Sequence, residues 1–145
     1  MNKKGRRKPS NQIVGNVGLY YVCYELSKRG WNVLPTSRNT KGIDIIIFSE
    51  KAKRMHTIQV KSLSKKDPVP LGSSLENLFG EYLIICRKVF DEKPEIFIAK
   101  IDELKNNGLI HERVKNNEKS YWLEPKEYEK EKFKDNWDII GEGYD

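Results

Sequence analysis

The sequence predicts a single mixed-sheet α/β domain, and three observations carry the prediction. An apolar helical pattern opens the chain and stops at Gly30, three short β-branched runs follow in close succession, and later strand-like runs alternate with helical ones. A length of 145 residues suits one domain with a real core. No internal repeat and no linker marks a second unit. The expected division is a basic arm over residues 1–11 and one domain over residues 12–145.

Asn11 to Arg29 carries Ile13, Val17, Tyr20, Tyr21 and Tyr24 at helical spacing, while Leu19, Val22, Cys23 and Leu26 cover much of the opposite side. A helix apolar around most of its circumference is expected to be sandwiched inside the fold, and its tyrosines to be core rather than base-stacking groups. Trp31 to Ser37 is the first strand, and the turn-like Arg38-Asn39-Thr40-Lys41-Gly42 follows it. Ile43 to Ser49 and Thr57 to Ser62 are the next two strands. Lys65 to Gly72, holding Pro68 and Pro70, reads as a loop, and Ser73 to Phe79 as a short helix. Tyr82 to Val89 and Glu95 to Lys100 are further strands, and Ile101 to Asn107 a short helix stopped by Asn-Asn-Gly. A polar loop leads to Tyr121-Trp122-Leu123. Pro125, at a favoured first-turn position, then starts a closing helix docked through Phe133, Trp137 and Ile140.

Composition removes several function classes. The chain is 37% hydrophobic and 33% charged, the balance of a heavily solvated surface. Its longest apolar run, Tyr82 to Cys86, falls far short of the roughly 20 residues that span a membrane. The basic N-terminus lacks the apolar stretch of a secretory signal, so the expected location is the cytoplasm. Cys23 and Cys86 have neither CxxC spacing nor histidine pairs nearby, and read as small buried hydrophobes in a reducing compartment. The net charge of +6 is concentrated in Lys3, Lys4, Arg6, Arg7 and Lys8. Such an arm either tracks a phosphate backbone, releasing counterions, or simply solvates the chain end. His56 and His111 have no partner at catalytic or ligand spacing and are expected at the surface. There is no Gly-rich phosphate loop, nucleophile elbow or zinc ligand set.

One constellation stands out chemically. Asp44 interrupts the apolar run Ile43-Asp44-Ile45-Ile46-Ile47-Phe48, where a carboxylate is expensive to bury unless it is paired, hydrogen-bonded or bound to metal. Gln59 and Lys61 lie two residues apart on the following strand, hence on one face. If the two strands form a hairpin turning at Glu50 to Lys53, Ser49 faces Arg54 and Asp44 faces Gln59. Lys61 is then a diagonal neighbour of Asp44, roughly 7–8 Å away between α-carbons. By itself this arrangement reads either as an internal ion pair or as a site.

The segments Arg38-Asn39-Thr40-Lys41-Gly42-Ile43-Asp44 and Ile58-Gln59-Val60-Lys61, preceded by a helix that ends in Gly, resemble the PD-(D/E)XK nuclease superfamily. That superfamily includes restriction endonucleases and archaeal Holliday-junction resolvases, and the resemblance covers roughly residues 12 to 90. The stretch Gly18 to Leu26 also resembles a recurring group of small bacterial proteins of this fold with a Gln-x-Lys variant motif. The resemblance implies a restriction-endonuclease-like mixed sheet flanked by helices, with an αβββαβ core. It implies metal-dependent hydrolysis of DNA phosphodiesters, with Asp44, Gln59 and Lys61 as catalytic residues. Mg²⁺ or Mn²⁺, weakly bound, would be held by Asp44, the side chain of Gln59 and the carbonyl of Val60. Arg38, Lys41, Lys65 and Lys66 flank the motif and join the arm as candidate contacts to DNA phosphates. A homodimer suits a double-strand cutter, although no self-complementary surface is legible.

The sequence departs from that family pattern at two places. Gln59 stands where many members carry glutamate, keeping a ligand oxygen but removing a charge. Resolvase-like members carry a glutamate at the position of Leu19, and leucine cannot hold a metal or its water. Glu25 lies six residues further along, about 120° around the helix and about 9 Å away, and reads as a solvated or ion-paired helix residue. Asp67 and Glu76 are the nearest substitute carboxylates in sequence. Three functions therefore stand: an active metal-dependent endonuclease, a catalytically degenerate nuclease-fold module that binds DNA or a protein partner without cleaving, or a structural or immunity-type partner in which the pattern is coincidental.

Overall fold

The computed structural model describes residues 8–37 and 42–145. Lys3, Lys4, Arg6, Arg7, Arg38 and Lys41 fall outside these residues, and so does most of the expected arm. Helix α1 spans Asn11–Lys28, and Ser10 caps it by accepting a hydrogen bond from the Ile13 N–H at 3.2 Å. At its far end Gly30 takes φ 91°, a conformation glycine reaches without strain, and turns the chain into the sheet.

Strands β1 (Asn32–Pro35), β2 (Ile45–Phe48) and β3 (Met55–Leu63) form an antiparallel meander that includes the expected β2–β3 hairpin. The β2–β3 ladder pairs Ile45 with Ile58 and Phe48 with Met55, and the Ser49 N–H donates to the Arg54 carbonyl at 2.9 Å. This is the register expected from loop length. Strand β5 (Tyr82–Arg87) pairs parallel to β3, and β6 (Glu95–Lys100) closes the sheet in the order β1-β2-β3-β5-β6. Every residue of β5 is buried because both faces of the sheet are covered there. On one face α1 lays Val14, Gly18, Val22 and Leu26 against Ile45, Ile47, Ile58, Ile84 and Ile98. On the other, Leu83, Ile85, Phe97 and Ala99 meet a second core with Leu71, Leu78, Leu104 and Leu123.

That second core rests on elements absent from the sequence-level expectation. Residues 65–72 are not all loop: Val69–Gly72 is strand β4. Val69 and Leu71 point inward and alternate with Pro70, which is tolerated because β4 is the edge of its sheet. The expected polar loop before Tyr121 is a hairpin of β7 (His111–Lys115) and β8 (Glu118–Leu123), and the second sheet runs β4-β8-β7. Its two-residue loop is Asn116-Asn117, both at positive φ (53° and 63°), as the primed hairpin turns require. The short helix expected over Ser73 to Phe79 is only a 3₁₀ turn at Leu75–Asn77, whereas α2 (Ile101–Asn106) lies where expected.

The closing helix is also corrected, since α3 is a single turn, Pro125–Tyr128. Beyond it the backbone turns to the exposed edge of β6. The Ile98 N–H donates to the Phe133 carbonyl at 2.8 Å, and the Asp135 N–H to the Ile96 carbonyl at 2.9 Å. Covering an edge strand satisfies its unpaired groups, and this competes directly with helix formation. Phe133 then packs into one core and Trp137 and Ile140 into the other. A single helical stripe could not serve both faces of a sheet.

The first helix needs a correction as well. It is not sandwiched, because one face is buried and the other meets solvent. Tyr20 and Tyr24 are 64% and 59% exposed, so they are not core residues, although Tyr21 packs against the core. His56 and His111 are half-buried rather than superficial. His56 Nδ1 lies 2.7 Å from a Glu81 carboxylate oxygen, between the rings of Trp31 and Tyr82. His111 faces Glu127 at 3.7 Å. Both cysteines are free, and burial pushes the Cys86 thiol up to about 12. Among the described residues no helix is long and apolar enough to cross a membrane.

Candidate active site

Backbone bonds on both sides hold Asp44 in place. Its N–H donates to the Ile58 carbonyl of β3 and its C=O accepts from the Thr36 N–H beside β1, each at 2.9 Å. The Thr36 hydroxyl adds a bond to the Ile43 carbonyl at 2.5 Å. The β2–β3 ladder begins at Ile45–Ile58, and Asp44 lies just before it with its N–H on the Ile58 carbonyl. Its side chain ends the pairing, because carboxylate Oδ2 accepts the Val60 N–H at 2.7 Å where a strand carbonyl would otherwise sit. Within a strand a residue's N–H and C=O point the same way, so the Val60 carbonyl also projects beyond the end of β2.

Asp44 opens onto two adjoining clefts. One, of about 230 Å³, is lined by Gly15, Asn16, Leu19, Asp44, Val60, Lys61 and Ser62. The other, of about 220 Å³, is walled by Asn16, Leu19, Tyr20, Thr36 and Asp44 with Pro35 and Ser37. The helix reaches this position because Gly18 leaves room for Ser62 of β3, whose hydroxyl would meet any side chain there. The electrostatics are those of a partly desolvated pair. Burial raises the Asp44 carboxyl above its ordinary range, against the opposing pull of the Val60 N–H and the Lys61 charge. Burial likewise lowers Lys61, and the Asp44 charge opposes it. The carboxylate and the amine are thus coupled at one cleft.

The structure brings Asp44, Val60, Lys61 and Leu19 together. Gln59 is buried and does not line either cleft, and the Asp44 N–H bonds Ile58 rather than the expected partner Gln59; the Gln59 Oε1 is buried without a hydrogen-bond partner. An orphaned acceptor of that kind costs about 1–3 kcal/mol. Glu25 is ion-paired with Arg29 at 2.7 Å and with Lys28, as expected, although it is half-buried rather than solvated. Neither Asp67 nor Glu76 reaches the clefts. Lys8 and Lys65 are exposed, while Lys66 is engaged with Glu129 at 3.1 Å. Asn16 and Tyr20 are the residues that sequence reasoning missed. Both follow from helical spacing, since Asn16 lies one turn before Leu19 and Tyr20 lies one turn after Asn16.

The residues present fit a hard divalent cation in part. At the cleft Asp44 supplies a carboxylate and Val60 a projecting carbonyl, oxygen donors such ions prefer; the unpartnered Gln59 Oε1 is a third oxygen but lines neither cleft. Among the described residues, no group of three or more His, Cys, Asp or Glu could hold a metal. Any ion here would therefore rest on one carboxylate with neutral oxygens.

No protein-family model matches the chain, and no curated protein matches it. Among solved structures, a bacterial homing endonuclease superposes with a TM-score of 0.59, covering 91% of this chain and 93% of that one at 13% identity. At that identity the likeness is one of fold alone, and it supports a nuclease-like α/β fold.

Proposed function

We propose that this chain hydrolyses DNA phosphodiester bonds at Asp44 and Lys61 and belongs with the PD-(D/E)XK nucleases. The observation that carries the reading is the meeting of Asp44, Val60 and Lys61 at one cleft of a nuclease-like fold, in the order and register of the sequence motif. Asp44, the Val60 carbonyl and Gln59 Oε1 would hold Mg²⁺ or Mn²⁺. An ion held there would supply Lewis acidity toward the phosphate and toward the attacking water. Lys61 does the protein's own part of the chemistry. Its ammonium stabilises charge accumulating on the phosphate, and burial makes its proton easier to give up, so Nζ can also accept a proton from the attacking water. Leu19 keeps bulk water off the cleft, and the Asn16 amide can hydrogen-bond a phosphate oxygen or the water. The exposed cations Lys8 and Lys65, with the basic arm, contact phosphates further along. The protein acts in the cytoplasm.

A second reading has its own support. Leucine at position 19 and the lack of a carboxylate cluster among the described residues favour a module that binds DNA or a protein without cleaving. Incubating the protein with supercoiled, linear, branched and single-stranded DNA, with Mg²⁺ or Mn²⁺, separates the two. The nuclease reading expects nicking or cutting that Asp44→Asn and Lys61→Ala each abolish. Uncut DNA together with salt-sensitive binding establishes the second reading instead.

A further inference from the structure

We propose that Tyr20 and Tyr24 form a stacking platform for unpaired bases, so that the substrate presents a single-stranded segment beside the scissile phosphate. This deepens the nuclease reading and rests on it. The two rings lie one turn apart on the solvent face of α1 and are among the most exposed large side chains of the fold. Tyr20 is itself a wall of the cleft that holds Asp44, so a base stacked on it belongs to a nucleotide next to the reacting phosphate. Four residues of helix separate the rings by about 6 Å along the axis. Successive bases in a duplex strand rise only about 3.4 Å. Two rings at the wider spacing suit a stretched strand whose bases have come apart.

Charge fits the same occupant. Lys28 lies over the Tyr24 ring at 4.9 Å with its side chain half exposed, and Lys8 stands exposed before the Ser10 cap of the helix. Cations alternating with aromatic faces are the usual composition of a single-strand track. A second copy of the chain fits poorly. At their exposures Ile13, Tyr20 and Tyr24 together offer about 400 Å² per copy. Two copies meeting here would bury about 800 Å² in all, below the roughly 1,000 Å² that a specific protein interface needs.

The test measures binding without cleavage. Fluorescence anisotropy in EDTA would compare labelled single-stranded DNA, single-stranded RNA and duplex DNA of one sequence, using wild type, Tyr20→Ala, Tyr24→Ala and Tyr20→Phe. The expected result is a loss of about 5- to 100-fold for single strands in Tyr20→Ala, a change under about 2-fold for duplex, and full retention in Tyr20→Phe. The two single-stranded arms tell which sugar is preferred. Equal losses on duplex and single strand, or none on either, overturn the platform while leaving the nuclease reading intact. Binding that behaves as expected from a protein that cuts nothing with metal overturns the nuclease reading alone. No binding to any nucleic acid overturns both. A dimer of wild type that Tyr20→Ala converts to monomer in sedimentation makes this face a contact between copies, and the proposal fails.

Discussion

Gly18 sets how closely α1 approaches β3, and Gly18→Ala measures that approach. A Cβ at this position would lie 2.0 Å from Ser62 Oγ and 2.6 Å from Ser62 Cβ. The hydroxyl can rotate away, but the Cβ is fixed by the strand, so the helix must move. Overpacking of this kind costs about 1–3 kcal/mol, and an immovable contact belongs near the upper end. Alanine recovers about 1 kcal/mol of helix propensity, leaving a net loss of about 2 kcal/mol. For a chain of this size that lowers the melting temperature by about 4–8 °C. Ser62→Gly removes both clashing atoms at a cost of about 1 kcal/mol for glycine in a strand. The double variant should therefore return to within about 1 kcal/mol of wild type, a coupling of about 3 kcal/mol. Urea or thermal denaturation followed by circular dichroism reads all four proteins. A neutral or stabilised Gly18→Ala would refute the close approach, and a destabilised single variant that Ser62→Gly fails to rescue would place the clash elsewhere.

Two further variants probe the polar groups of the site. Asp44→Asn keeps an oxygen for the Val60 N–H and removes a charge that burial disfavours, so it should gain about 1 kcal/mol at neutral pH. Because burial raises the Asp44 pKa in the fold above its ordinary 3.8, the native state holds the proton longer than the unfolded chain, and wild type loses stability as pH climbs from there through the raised value. The advantage of Asp44→Asn should be absent below that window and complete above it; thermal melts from pH 3 upward, showing a pH-independent difference, would contradict the assignment. Asp44→Ala orphans the Val60 N–H and should fall about 1–3 kcal/mol below the Asn variant. Gln59→Leu removes the unpartnered Oε1 and should stabilise the apo protein by about 1–2 kcal/mol, while reducing the melting-temperature gain given by Mg²⁺. Destabilisation instead would mean that the amide already has a partner inside the fold.

Local physics was legible along the chain. The Ser10 cap, the Gly30 stop and the β2–β3 register each depend on residues close in sequence, and loop length alone gave the pairing of Ile45 with Ile58 through Phe48 with Met55. The Asn116-Asn117 hairpin carried an equally local signal in two adjacent residues suited to positive φ, yet its strands are mostly polar and exposed, which hid them from a hydrophobic pattern. Tertiary structure alone decided which side of an apolar segment meets water. Tyr20 and Tyr24 share helical spacing with core residues, and only the sheet packed against Val14, Gly18, Val22 and Leu26 leaves them outside. It also turned Phe133 and Trp137 to opposite faces of one sheet, since the edge of β6 offered the backbone better partners than a helix would. The site divides in the same way. Asp44, Val60 and Lys61 follow from a motif, whereas Asn16 and Tyr20 join them only because a helix distant in sequence is laid across the end of the hairpin.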